Sequence, residues 1–142
     1  MPNRKASAVW EGGLKDGKGS FKNANGSING SYSFGSRFEE GPGSNPEELL
    51  AAAHAACFSM ALSGQLEGNG TPPTRIETNA VCTVEKVGAG FTITTMKLTT
   101  RGTVPGIDNA AFQEKANAAL EGCPVSRAFK GNMKFVLDAA LA

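Results

Sequence analysis

The chain has 142 residues, 40% hydrophobic and 19% charged, which is enough for one domain with a real core but would leave two domains marginal. Fourteen basic residues stand against thirteen acidic ones, and the basic residues are scattered rather than clustered. That distribution gives no electrostatic footprint for nucleic acid or an anionic membrane, so residues 1–142 are read as a single domain whose partners are small molecules or other proteins.

The first residues, Met1-Pro-Asn-Arg-Lys-Ala6, lack the apolar run of a secretory signal. No later segment is read as approaching the ~20 apolar residues of a membrane span, and a soluble cytoplasmic protein is expected. In that compartment thiols are kept reduced, so a disulfide among the three cysteines would be catalytic or sensing rather than structural.

Residues 7–38 are glycine-rich, with Trp10, Phe21, Tyr32, Phe34 and Phe38 spaced among polar residues and turn signals at Asn25-Gly26 and Asn29-Gly30. They predict an N-terminal antiparallel meander with Arg37 at the end of its sheet. Glu39-Glu-Gly-Pro-Gly-Ser44 then breaks the sheet as a loop.

A helix start follows, with Asn45 as cap, Pro46 at the first helical position and Glu48 completing a capping box. Leu49, Leu50, Ala53, Cys57, Met60 and Ala61 recur at steps of three and four and are expected to form its buried stripe. Glycines and the pair Pro72-Pro73 end it near residue 67. Thr/Val/Ile-rich runs over 74–87 and 91–104, joined by Gly88-Ala89-Gly90, predict a second hairpin with Cys82 in its first strand. Asp108 to Glu121 reads as an amphipathic helix stopped by Gly122. Cys123-Pro124 opens a short helix through Phe129, and Met133 to Leu137 a last strand.

Strands grouped at both ends around helices indicate an α+β fold rather than a doubly wound sheet. The small N-terminal sheet has a face that the chain's own helices leave uncovered, which calls for a partner chain and predicts an intertwined homodimer.

Chemistry converges on two thiols whose spacing fits neither a disulfide framework nor a zinc knuckle. Cys57 lies mid-helix among alanines, where desolvation raises a thiol pKa, so it reads either as a small core residue or as a nucleophile that needs a cation from elsewhere. Arg37 is the cation on offer, and Glu47 could hold its guanidinium in a bidentate pair. Glu47 is ten residues before Cys57, about 15 Å along a helix, and could equally just complement the helix dipole. Cys123 sits at a helix cap beside unpaired N–H groups, so the physics of the sequence makes it the better thiolate, with a simple cap as the alternative. Cys82 reads as structural. His54 shares a face with Cys57, which raises a weak metal alternative of His54, Cys57 and Cys123. No Gly-x-Ser-x-Gly elbow supports a serine hydrolase.

In Asn45-Pro-Glu-Glu-Leu-Leu50, Ala55-Ala-Cys-Phe-Ser-Met60, Val104-Pro-Gly-Ile-Asp108 and Gly122-Cys-Pro-Val-Ser126 the chain resembles the OsmC/Ohr proteins, thiol-dependent peroxidases. Val9-Trp-Glu-Gly12 and Ser36-Arg-Phe-Glu39 are similar to the OsmC branch. The resemblance implies an OsmC/Ohr-like fold and an intertwined dimer with its active sites at the subunit interface. It implies Cys57 as peroxidatic thiol, Cys123 as resolving thiol, Arg37 as activating cation and Glu47 as its carboxylate partner. It implies no bound cofactor, an organic hydroperoxide as substrate and an external dithiol, of lipoyl type for instance, as reductant.

On that reading the Cys57 thiolate attacks the distal peroxide oxygen while Arg37 donates hydrogen bonds, and Cys123 closes the resulting sulfenic acid to a disulfide. Leu49, Leu50, Phe58 and Met60 are expected to wall the site with apolar surface. A non-catalytic thiol redox sensor and an apolar-ligand binding protein stand as alternatives.

Overall fold

The computed structural model describes residues Met1–Ala142, which fall into two compact units, Met1–Glu48 and Leu49–Ala142. In the first, β1 (Ala6–Glu11), β2 (Lys18–Asn23) and β3 (Asn29–Tyr32) form an antiparallel meander in that order. Trp10, Phe21 and Tyr32 cluster on one face, with ring centroids 5.4 Å apart for Trp10–Tyr32 and 5.9 Å for Phe21–Tyr32. Gly19 lies beneath them, because a Cβ there would stand 2.5 Å from the Tyr32 ring. No apolar side chain of this unit is fully buried; its buried residues are Ser36 and Glu47.

The meander stops short of the expected boundary. Phe34–Phe38 is a helix, α1, so Arg37 stands on a helical turn and not at the end of a strand. Ser33 caps it, accepting from Ser36 N–H at 3.1 Å while Ser33 N–H donates to Ser36 Oγ at 2.8 Å. This reciprocal cap uses serine where a Glu or Gln usually stands, and the sequence signal was missed for that reason.

Helix α2 (Pro46–Gly68) starts where expected, with Asn45 Oδ1 accepting from Glu48 N–H at 2.8 Å. The Glu48 carboxylate does not complete a capping box; it accepts instead from the Ser44 hydroxyl. The buried stripe of α2 is Ala51, His54, Phe58, Leu62 and Leu66. The expected stripe is corrected: Leu49, Ala53 and Met60 face outward, Met60 with 80% exposure, and Cys57 lies half-buried on the flank. An Ala-rich helix that is apolar nearly all round has no amphipathic period to mark its inner face. With 23 residues and an 18-residue stretch of mean hydropathy 1.4, α2 is also long and apolar enough to cross a membrane, against the expectation that no segment approaches this. The same helix supplies Phe58, Leu62 and Leu66 to the core of the second unit.

That unit is built on β4 (Arg75–Val87), β5 (Gly90–Thr103) and β6 (Lys134–Leu141), in that order. β4 and β5 form the expected hairpin around Gly88-Ala89, with Gly88 at φ +61°, the geometry a two-residue turn with glycine first requires. β6 runs four residues beyond Leu137 and pairs parallel with β5. The crossover from β5 to β6 carries α3 (Asn109–Gly122) and α4 (Pro124–Phe129), both in the expected places. Alternate sheet residues, including Ile76, Met96, Leu98 and Leu137, meet Phe58, Leu62, Phe112 and Ala116 in the core. A Cβ at Gly102 would lie 2.8 Å from Phe112 Cε2, so this strand position needs glycine for α3 to pack.

Candidate active site

Arg37 and Glu47 meet within the first unit. Ser36 Oγ donates to Ser44 O at 2.7 Å and Asn45 Nδ2 to Ser36 O at 3.1 Å, folding the 39–44 loop back so that the first turn of α2 lies against α1. Arg37 Nη2 then donates to Glu47 Oε1 at 2.8 Å, and Nε reaches Oε1 at 3.1 Å and Oε2 at 3.3 Å. The guanidinium also lies 5.0 Å from the centre of the Phe38 ring. A buried carboxylate thus fixes a partly exposed cation on one edge. Trp10, Leu14, Tyr32, Phe34 and Phe38 line an apolar pocket of about 260 Å³ whose charged wall is Arg37. Phe58 is sealed in the core and Met60 points outward, so neither forms the expected apolar wall with Leu49 and Leu50.

In the second unit, Cys57 of α2 and Cys123 at the start of α4 are free thiols with their sulfurs 2.9 Å apart. Cys123 is fully buried and its Sγ accepts from Ser126 N–H at 3.5 Å. Burial pushes the Cys57 thiol up, and its hydrogen bond and charge interaction with Cys123 push it further, against an opposing pull from the Val125 N–H. Burial pushes Cys123 upward too, but hydrogen bonds from Cys57, from the N–H and hydroxyl of Ser126 and from the Val125 N–H outweigh it, and the net shift is downward. Of the pair, Cys123 is the thiol shifted toward thiolate, in the direction that the helix-cap argument from sequence expects.

His54 does not join the thiols as a metal ligand; no group of three such donors gathers anywhere in the chain. Its Nε2 lies 2.7 Å from Ser126 Oγ, and burial lowers its pKa, keeping the imidazole neutral. Ser126 was not singled out from the sequence. Its signal was the Cys-x-x-Ser spacing, which sets a serine on the turn that a cysteine caps. Cys82 lies in β4 opposite Met96 and packs against the core.

Residues 39–138 match the family model described as OsmC-like protein. The chain is 47% identical to Peroxiredoxin OsmC of Escherichia coli strain K12 over 132 residues, 92% of each protein. The chain belongs to the OsmC family. Two more relatives come from Bacillus subtilis and Xanthomonas. OhrB of B. subtilis, named an organic hydroperoxide resistance protein, is 37% identical over 68% of this chain and 69% of its own length. The crystal structure of that OhrB superposes with a TM-score of 0.75, at 27% identity, over 96% of this chain and 98% of OhrB. The organic hydroperoxide resistance protein of Xanthomonas axonopodis pv. citri is 33% identical over 70% of this chain and 69% of its length. Within this OsmC-family chain the matched segment holds Glu47, His54, Cys57, Cys123 and Ser126, whereas Arg37 precedes it by two residues.

Proposed function

We propose that this chain is a Cys-based peroxidase that reduces organic hydroperoxides to alcohols. The observation that carries the reading is the approach of Cys57 and Cys123 to 2.9 Å as free thiols, in a chain 47% identical to a peroxiredoxin. Sulfurs this close can exchange a proton directly. Cys57 passes its proton to Cys123 as it attacks the distal peroxide oxygen; the O–O bond breaks, Cys57 becomes a sulfenic acid and the alkoxide takes a solvent proton. Cys123 then displaces the sulfenic oxygen as water and the disulfide forms. An external dithiol returns both thiols by exchange, so the protein needs no bound cofactor.

Burial opposes thiolate at Cys57, and the reaction calls for a cation there. We assign that role to Arg37, held by Glu47, from the same subunit or a second one. The Nε–Nη2 edge is taken by Glu47, leaving the Nη1 edge for the peroxide. The relatives named organic hydroperoxide resistance proteins support an organic hydroperoxide as the substrate. A homodimer fits the N-terminal sheet, which has no fully buried apolar side chain, and the outward Leu49 and Met60 of α2. The cytoplasm, where dithiols are maintained, is the compartment this cycle suits.

Mass spectrometry after one equivalent of cumene hydroperoxide tests the cycle. A Cys57–Cys123 disulfide in the wild type, and dimedone-trapped Cys57 sulfenic acid in Cys123→Ser, are expected. Oxidation that spares Cys57 would overturn the reading.

A further inference from the structure

His54 has no part in the chemistry above, yet it is the chain's only histidine, is fully buried, and lies edge-on to Phe129 at 5.5 Å and Phe135 at 5.2 Å. Its one polar contact is Nε2 to Ser126 Oγ at 2.7 Å, and its Nδ1 is buried with no hydrogen-bond partner. That asymmetry decides the tautomer. A proton on Nδ1 would orphan an N–H among aromatic rings, whereas a proton on Nε2 leaves only an unused lone pair. The imidazole therefore donates to Ser126 Oγ. The Ser126 hydroxyl hydrogen is then free to be donated elsewhere, and the Ser126 N–H points to Cys123 Sγ at 3.5 Å.

We propose that His54 and Ser126 are positioning residues for disulfide formation: a one-way hydrogen-bond chain from His54 Nε2–H through Ser126 Oγ–H to Cys123 Sγ holds Cys123 as the sulfur that attacks oxidised Cys57. This rests on the peroxidase reading. In the step, the Cys123 sulfur attacks Sγ of the Cys57 sulfenic acid, the S–S bond forms and the S–O bond breaks. The departing hydroxide leaves as water, taking the proton that Cys123 had received from Cys57, or one from solvent if Cys123 has already lost it. The hydroperoxide consumed earlier is the oxidant, and Ser126 and His54 keep their protons. The titratable groups bearing on Cys123 are both on α2: Cys57 directly and His54 through Ser126. Arg127, on its own helix, is exposed.

The test separates the two oxidation steps by rapid quench after one equivalent of cumene hydroperoxide, with dimedone to trap sulfenic acid. In Ser126→Ala, Cys57 sulfenic acid should form as fast as in the wild type, while disulfide formation slows at least about tenfold, the loss expected for a hydrogen bond to a charged sulfur. Ser126→Thr, which keeps the hydroxyl, should restore the fast step. Ser126→Ala leaves the His54 N–H unpaired, so His54→Leu/Ser126→Ala, with neither polar group, serves if the single variant does not fold and should show the same slow step. Wild-type disulfide rates in whichever Ala variant folds would overturn the proposal. Absence of any Cys57 sulfenic acid in Ser126→Ala and wild type alike would overturn the peroxidase reading and this inference with it.

Discussion

Glu47 is a carboxylate with 5% exposure whose charge is met by one guanidinium, and Arg37 keeps 36% of its side chain in solvent. Removing the buried partner and removing the exposed one are therefore unequal. Arg37→Ala strands a buried charge and should cost roughly 2 kcal/mol, below the range for a fully buried pair because water already reaches the arginine. Arg37→Ala/Glu47→Gln should recover most of that in urea unfolding while remaining inactive, which separates the structural role of the pair from its chemical one. His54 gives a second test. Burial holds its folded pKa below the unfolded value, so below about pH 6.5 the unfolded chain binds a proton that the folded chain refuses, and stability falls as pH drops through that value. Because no other histidine is present, His54→Leu should flatten the slope of unfolding free energy between pH 7 and about 5.5, above the carboxylate range. An unchanged slope would show that His54 titrates normally in the folded chain.

At the scale of elements, those with caps and turns of ordinary chemistry were readable in the sequence, and those defined by packing alone were not. Asp108 caps α3 through Ala111 N–H at 2.8 Å, and Asp108→Ala should lower stability by about 1 kcal/mol, measured as a shift in the denaturant midpoint without change in slope. The β4–β5 hairpin was equally plain from its Thr/Val/Ile runs and glycine turn. Helix α1 was not: five residues are too few to show a period, and its cap uses Ser33 with Ser36. The inward face of α2 was misread because leucine, alanine and methionine surround the helix and only packing decides which go in. Leu62→Ala should cost about 3 kcal/mol, in line with a fully buried leucine, whereas the formerly expected stripe residue Ala53 should tolerate serine with little change in a thermal melt.

At the scale of the whole molecule, the sequence placed both thiols and the Arg37–Glu47 pair, since each lies in a short recognisable motif, and it missed Ser126, whose role exists only once Cys123 caps α4 and His54 packs beside it. The proposed homodimer would cover the weakly buried N-terminal sheet and the outward apolar residues of α2. Light scattering should give twice the 14.7 kDa chain mass, and Met60→Glu should weaken association; a stable wild-type monomer would remove the dimer. All of this serves a single chemical claim, that Cys57 is the atom that meets the peroxide. Its most direct measurement is steady-state consumption of cumene hydroperoxide with an excess of dihydrolipoamide, wild type against Cys57→Ser. Sustained turnover in the wild type and its loss in the variant are predicted, and undiminished turnover in Cys57→Ser would contradict the account.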